Sequence, residues 1–285
     1  MKTNRQFKII LFLALSLSLF SCKKDNSYGS ATAAEIETTF DLSGHQAVAD
    51  NLTEDANNVF MEAAANKNLL GNSFGFLPVI TSNNLVGAVV TVTPTTGFPK
   101  TICIDFAGGC TAANGITRKG KINIQLSDSV RKTGSKAIIN FSNYYVNSFR
   151  KEGTVTWTNT SNTTTKSWQC KVENGKVVAA NGSYWLHSGL KEVVQIAGAP
   201  TPNNLLDDIF LITGNNTITN ADGKTRDCFI TEALQKKVTC DNIGTGKLKV
   251  AGAHHNALIN FGDGDCDKIA TISIDGQAPR TIVLR

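Results

Sequence analysis

The stretch GDGDCDK, residues 262–268, places Asp263, Asp265 and Asp267 at alternate positions. That spacing can wrap carboxylate oxygens around Ca²⁺. The glycine and the later glutamate that complete a calcium-binding loop are missing at the required offsets. The stronger reading is therefore a tight acidic turn, with carboxylates capping backbone amides and Cys266 as a staple. No other cofactor is expected. The histidines His45, His187, His254 and His255 suit a zinc site poorly, because neighbours in a strand point to opposite faces. GNSFG at 71–75 matches the G-x-S-x-G of a nucleophile elbow around Ser73, but a helical pattern precedes it and an extended one follows, the reverse of what that turn needs. SVRK (129–132) and KTG (132–134) share one Lys132, so they cannot be the separate motifs of a serine penicillin-recognising site. A hydrolytic chemistry would draw its acid and base from carboxylates scattered through the strands, for example Asp105 or Asp128. Trp157, Trp168 and Trp185 could form a stacking platform for sugar rings, although Trp157 alternates in phase with Val155 and so reads as core.

These groups must be positioned by a body that is mainly β. Val48, Leu52, Val59, Phe60 and Ala63 recur at helical intervals, which predicts one or two amphipathic helices within 44–70, with Ser43 as N-cap and Gly71 as stop. From Phe76 the texture changes to alternating, β-branched segments. KINIQL (121–126) sets Ile122, Ile124 and Leu126 against polar neighbours, and TVTWT (154–158) does the same with Val155 and Trp157. Asn174-Gly175 and Asp222-Gly223 are hairpin-turn signals. More than ten short strands argue for an antiparallel β-sandwich or a curved meander behind a short helical segment. The expected divisions are 1–21, a signal; 22–43, a flexible tether; 44–75, the helical prelude; 76–199, an antiparallel β region; and 200–285, a second β region that could continue the first. The break falls at APTPNNL, residues 199–205, where two prolines interrupt the pattern. ICIDFAGGC (102–110) and ALINFGDGDC (257–266) share an apolar strand, Gly-rich residues and a cysteine, which hints at a local duplication.

Lys2, Arg5 and Lys8 precede an apolar run from Ile9 to Phe20, the plan of a secretory signal and too short to span a bilayer comfortably. Leu19-Phe20-Ser21-Cys22 then resembles the lipobox of bacterial lipoproteins. The resemblance implies a lipid on Cys22 and anchoring by two or three acyl chains, each buried methylene contributing roughly 0.8 kcal/mol. Loss of residues 1–21 takes the formal net charge from +5 to +2 (+5 − 3), which gives nucleic acid little electrostatic reason to bind. Six cysteines remain besides Cys22, and in an exported chain an even count favours disulfides. Cys240 and Cys266 flank the strand GKLKVAGA, so a three-stranded meander brings them together. Cys103 with Cys110 is the second expected pair, and Cys170 with Cys228 follows by elimination.

With SCKKD after the signal, RKGKI, FSNYYVN and a closing FGDGDCD, the chain resembles cell-envelope lipoproteins of the Bacteroidota type. That resemblance implies an outer-membrane location, periplasmic or surface-facing, with the membrane as partner through the lipid, and it carries no known activity. Asp128-Ser129-Val130 resembles the O-glycan acceptor of that group, which makes Ser129 a modification candidate. Two function classes remain open. One is a non-catalytic envelope module that binds a glycan or an envelope protein. The other is a glycan-directed hydrolase of unrecognised type.

Overall fold

A long proline-free run rich in alanine and glutamate favours a helix. In the computed structural model, which describes residues 27–71, 84–202 and 204–284, that helix is α1, Ser27–Asn66. Its 40 residues reach about 60 Å at 1.5 Å per residue. It ends at Asn66 because Asn68 takes a left-handed φ of 58°. The Leu69 amide then donates to the Ala64 carbonyl at 2.8 Å and the Asn68 amide to Ala65 at 3.1 Å, a Schellman closure. Three expectations are corrected here. The helix begins at Ser27, so residues 27–43 are not a flexible tether. Ser43 is no N-cap but lies inside the helix, its hydroxyl donating to the Thr39 carbonyl at 2.6 Å. Asn68, not Gly71, provides the stop. The signal, Cys22 and Ser73 lie outside the described residues.

The helix is also not amphipathic. Every residue from Gln46 to Ala56 is buried, charged ones included. Three turns of helix buried on all faces require protein on every side. That surround is one antiparallel sheet made of β1 (Val89–Thr93), β2 (Lys100–Asp105), β3 (Cys110–Thr111), β4 (Thr117–Leu126), β5 (Lys136–Val146), β6 (Phe149–Asn159), β7 (Ser167–Val178), β8 (Tyr184–Ala197), β9 (Ile209–Asn220), β10 (Thr225–Lys237), β11 (Thr245–Ala251), β12 (Asn256–Asp263), β13 (Ile269–Ile274) and β14 (Arg280–Val283). Each strand pairs with the next in sequence, except that β2 pairs with β4 and the short β3 also pairs β4. The meander alternative therefore holds over the sandwich. Pairing of β8 with β9 carries the sheet across residues 199–205, so the two expected β regions are one, and a 3₁₀ turn at Leu205–Asp207 fills the interruption.

The sheet curves because its strands are kinked by bulges. Register shifts fall at Lys119/Lys121 in β4, Glu152/Thr154 in β6 and Val172/Gly175 in β7. Gly120 (φ 81°) and Gly153 (φ 99°) sit at two of them, where an added Cβ would lie 1.9 Å from the Asn143 oxygen and 2.4 Å from the Asn174 oxygen. Asn174-Gly175 serves the third. It is not a hairpin turn: Asn174 has φ 51° within continuous β7, and its left-handed preference makes a bulge. Asp222-Gly223 does close the β9–β10 hairpin, the Gly223 amide donating to Asn220 at 3.0 Å.

The two apolar stretches proposed as a duplication share their inward phase. Ile102, Ile104 and Phe106 are buried in one, and Ala257, Ile259 and Phe261 in the other. Cys240 and Cys266 are joined, with Cα atoms 4.9 Å apart, across β11 as the meander predicts. Cys103, Cys110, Cys170 and Cys228 are free, which corrects the other two pairs. Cys103 lies out of phase with the inward Ile102 and Ile104, so it points away from the core. No described helix is long and apolar enough to cross a membrane.

Candidate functional site

Alternation along the strands sends a cation inward from every second strand: Arg118 from β4, Lys151 from β6, Lys191 from β8 and Lys236 from β10, each no more than 5 % exposed. Buried charges need partners, and the helix supplies them for Arg118, Lys151 and Lys191. Arg118 grips Asp55 through two bonds of 2.6 and 3.0 Å, and Tyr144 adds its hydroxyl at 3.2 Å. Lys191 donates to Asp50 at 2.6 Å. Lys151 reaches Thr53 at 2.9 Å, and burial pulls its ammonium down to about 8. Lys236 donates to the carbonyls of Lys237, at 3.0 Å, and Cys240. Successive helical residues point 100° apart, so Asp50, Thr53 and Asp55 leave the axis in different directions toward different strands.

Where the C-terminal half of α1 meets the ends of β6 to β10, the packing leaves a cavity that is partly open to solvent. Phe60, Met61, Trp157, Trp168, Val193 and Phe210 form its apolar walls. Register explains their convergence. Trp168 pairs with Asn159 and Val193, and Phe210 pairs with Gln195 and Lys236, so these inward side chains lie in adjacent rows. Trp168 and Phe210 meet edge to face at 5.9 Å. The polar groups of the lining include Glu54, Glu62, Arg131, Gln195, Asp208 and Lys236.

Two of the carboxyls are displaced from ordinary behaviour. Burial raises Glu54, against the pull of Lys191 and Lys236. Burial also raises Asp208, to about 7, with Arg131 opposing and Asp207 reinforcing the shift. Gln195 donates to Asp208 at 2.7 Å. The Nη1 of Arg131 and the Nε1 of Trp157 are buried without a partner. Backbone bonds fix the segment that carries Arg131, since Val130 and Arg131 donate to Leu69 and Leu70 at 3.0 and 3.2 Å. The arrangement can hold an amphipathic molecule, and it offers two carboxyls that burial makes harder to ionise.

The residues singled out from sequence are mostly elsewhere. Asp105 and Asp128 share no cleft. Each is ion-paired on the surface, Asp105 with Lys121 at 2.8 Å and Asp128 with Lys132, and those lysines hold both carboxyls below the usual range. Carboxyls held ionised in this way are poorly suited to act as general acids. Asp263, Asp265 and Asp267 are not gathered around a point, and among the described residues no group of His, Cys, Asp and Glu could hold a metal. The turn reading fits instead: Asp267 accepts from the Ile269 amide at 3.0 Å, and Lys237 braces the Gly264 carbonyl at 2.9 Å. His255 pairs with Asp275 at 2.6 Å, His45 stacks on Trp185 at 4.1 Å, and His187 is buried, with burial pushing it well below its ordinary range. The three tryptophans form no platform: Trp157 and Trp168 line the cavity and Trp185 lies under the helix. Ser129 sits half-buried in the β4–β5 loop, so close to Gly71 that a Cβ there would lie 2.6 Å from the serine Cβ.

Sequence reading missed Glu54, Arg131, Gln195, Asp208 and Phe210. The signal available was the polar run TEDANN (53–58) between the apolar Leu52 and the pair Val59-Phe60. It reads as a solvated face until the surrounding sheet is known. The chain matches no known protein family, no curated protein and no solved structure.

Proposed function

We propose that this chain is a lipid-anchored binding module of the bacterial cell envelope, held at the outer membrane through Cys22, with its ligand in the cavity between α1 and β6–β10. The observation that carries the binding part is that aromatic walls and unpartnered buried donors line the same cavity. The anchoring part rests on the resemblance of Leu19–Cys22 to a lipobox. A screen of the full chain against glycans and small amphipathic molecules, read by Trp168 fluorescence with Trp168→Phe as control, tests the first. For the second, Cys22→Ser is expected to remove palmitate labelling and membrane sedimentation; retention of both refutes the anchor. Ser129 as an O-glycan acceptor belongs to the same reading, and equal intact mass for wild type and Ser129→Ala removes it.

A second reading, hydrolysis of a glycan, is favoured by one feature: Glu54 and Asp208 line the same cavity, and burial keeps both protonated above the ordinary carboxyl range. A carboxyl protonated near neutral pH can act as a general acid. Turnover of a bound glycan that is lost in both Glu54→Gln and Asp208→Asn, with binding retained, would establish it.

A further inference from the structure

The polar groups of the cavity differ in how far the protein satisfies them. Lys236 is committed to the Lys237 and Cys240 carbonyls, Asp208 accepts from Gln195, and Glu62 accepts from the Asn84 amide at 3.2 Å. What stands buried and unpartnered is Arg131 Nη1 and Trp157 Nε1. Both are donors only. A sugar hydroxyl brings donor and acceptor together, whereas a carboxylate brings acceptors alone and fits the planar fork of a guanidinium.

We propose, resting on the reading of this cavity as a ligand site, that its ligand is a monocarboxylate with an aromatic or branched apolar body, the carboxylate taken by Arg131 and the Trp157 N–H and the body by Trp168, Phe210 and Phe60. Charge is consistent with this choice. Arg131 stays cationic despite partial burial, because a guanidinium does not lose its proton in a protein. The charged group that opposes it is Asp208, raised to about 7. Facing Asp208 are Arg131 from the β4–β5 loop, Asp207 beside it and Gln195 from β8, while Glu54 and Lys236 also line the cavity. Ionisation of Asp208 places a second anion beside the bound carboxylate and neutralises Arg131. Acid binding therefore strengthens as pH falls through 7, down to the titration of the ligand itself.

The test uses the full lipidated chain in nanodiscs, titrated calorimetrically with 1-naphthylacetate and its neutral carboxamide, with empty nanodiscs as blank. At pH 6 the acid is expected to bind at least tenfold more tightly than the amide. Arg131→Met should reduce that preference below twofold, and Trp157→Phe should weaken the acid several-fold, circular dichroism confirming the fold of each. Between pH 6 and 8 the acid should weaken several-fold in wild type and not in Asp208→Asn, while the amide stays level. Equal binding of acid and amide overturns the inference, and that comparison needs no variant to fold. A preference that survives Arg131→Met also overturns it. If only neutral glycans bind, the carboxylate falls and the binding reading stands. If nothing binds and no compound perturbs Trp168 fluorescence, both fall.

Discussion

Asp55 and Arg118 meet by bidentate contact while 1 % and 2 % exposed, and removal of either partner leaves a buried, uncompensated charge. Asp55→Ala is expected to cost about 3–5 kcal/mol in urea unfolding. Exposed pairs such as Lys171–Glu173 should be worth far less. Two buried titrating groups set opposite pH limbs. Asp208 keeps its proton in the folded state up to about 7 while the unfolded chain loses it near pH 4, so its contribution to stability is lost as pH rises across that window. His187 resists protonation in the fold, so stability also falls as pH drops below the ordinary histidine range, where only the unfolded chain takes up the proton. Melting temperatures from pH 4 to 8 should show Asp208→Asn flattening the upper limb and His187→Gln the lower one. Neither group could be assigned from sequence, because burial, the cause of both shifts, is a property of the assembled sheet.

At the scale of elements, the bulges turn a flat meander into a wrapping one. Gly120→Ala and Gly134→Ala separate two effects, since both glycines have φ near +80° but only Gly120 abuts a neighbouring strand. The left-handed backbone alone costs an alanine about 1–2 kcal/mol. The clash with Asn143 should bring Gly120→Ala to on the order of 3 kcal/mol or more. Equal losses measured by denaturation would show that close approach at the bulge is not what requires glycine. The same logic explains the misread Asn174-Gly175. A dipeptide that favours left-handed φ marks a bend in the chain, and whether the bend reverses the strand or only bulges it depends on the partner strands on both sides.

For the whole molecule, one sheet of fourteen strands curves around one helix, and its C-terminal hairpins are stapled by Cys240–Cys266. Replacing both cysteines by serine should lower stability by about 3 kcal/mol for a loop of this size. Peptide mapping without reduction should recover this pair and leave Cys103, Cys110, Cys170 and Cys228 as thiols in the folded chain. The charge layer between helix and sheet belongs to this scale too. It gives the helix one rotational setting, because Asp50 and Asp55 each match a cation from a different strand.

Local sequence sufficed for whatever depends on local sequence. Alternation in KINIQL and TVTWT placed Ile122, Ile124, Val155 and Trp157 inside, Asp222-Gly223 marked a hairpin, and the short meander around GKLKVAGA brought Cys240 to Cys266. The mainly β class followed from the sum of such signals. Tertiary structure decided what surrounds each element. The polar residues of α1 between Gln46 and Ala56 lack a solvent face because protein surrounds that stretch, and a periodicity argument assumes one side is water. The cavity is likewise invisible locally: Glu54, Arg131, Trp168 and Asp208 come from a helix, a loop, a strand and the C-cap of a 3₁₀ turn, far apart in the chain, and only the tertiary fold makes them neighbours.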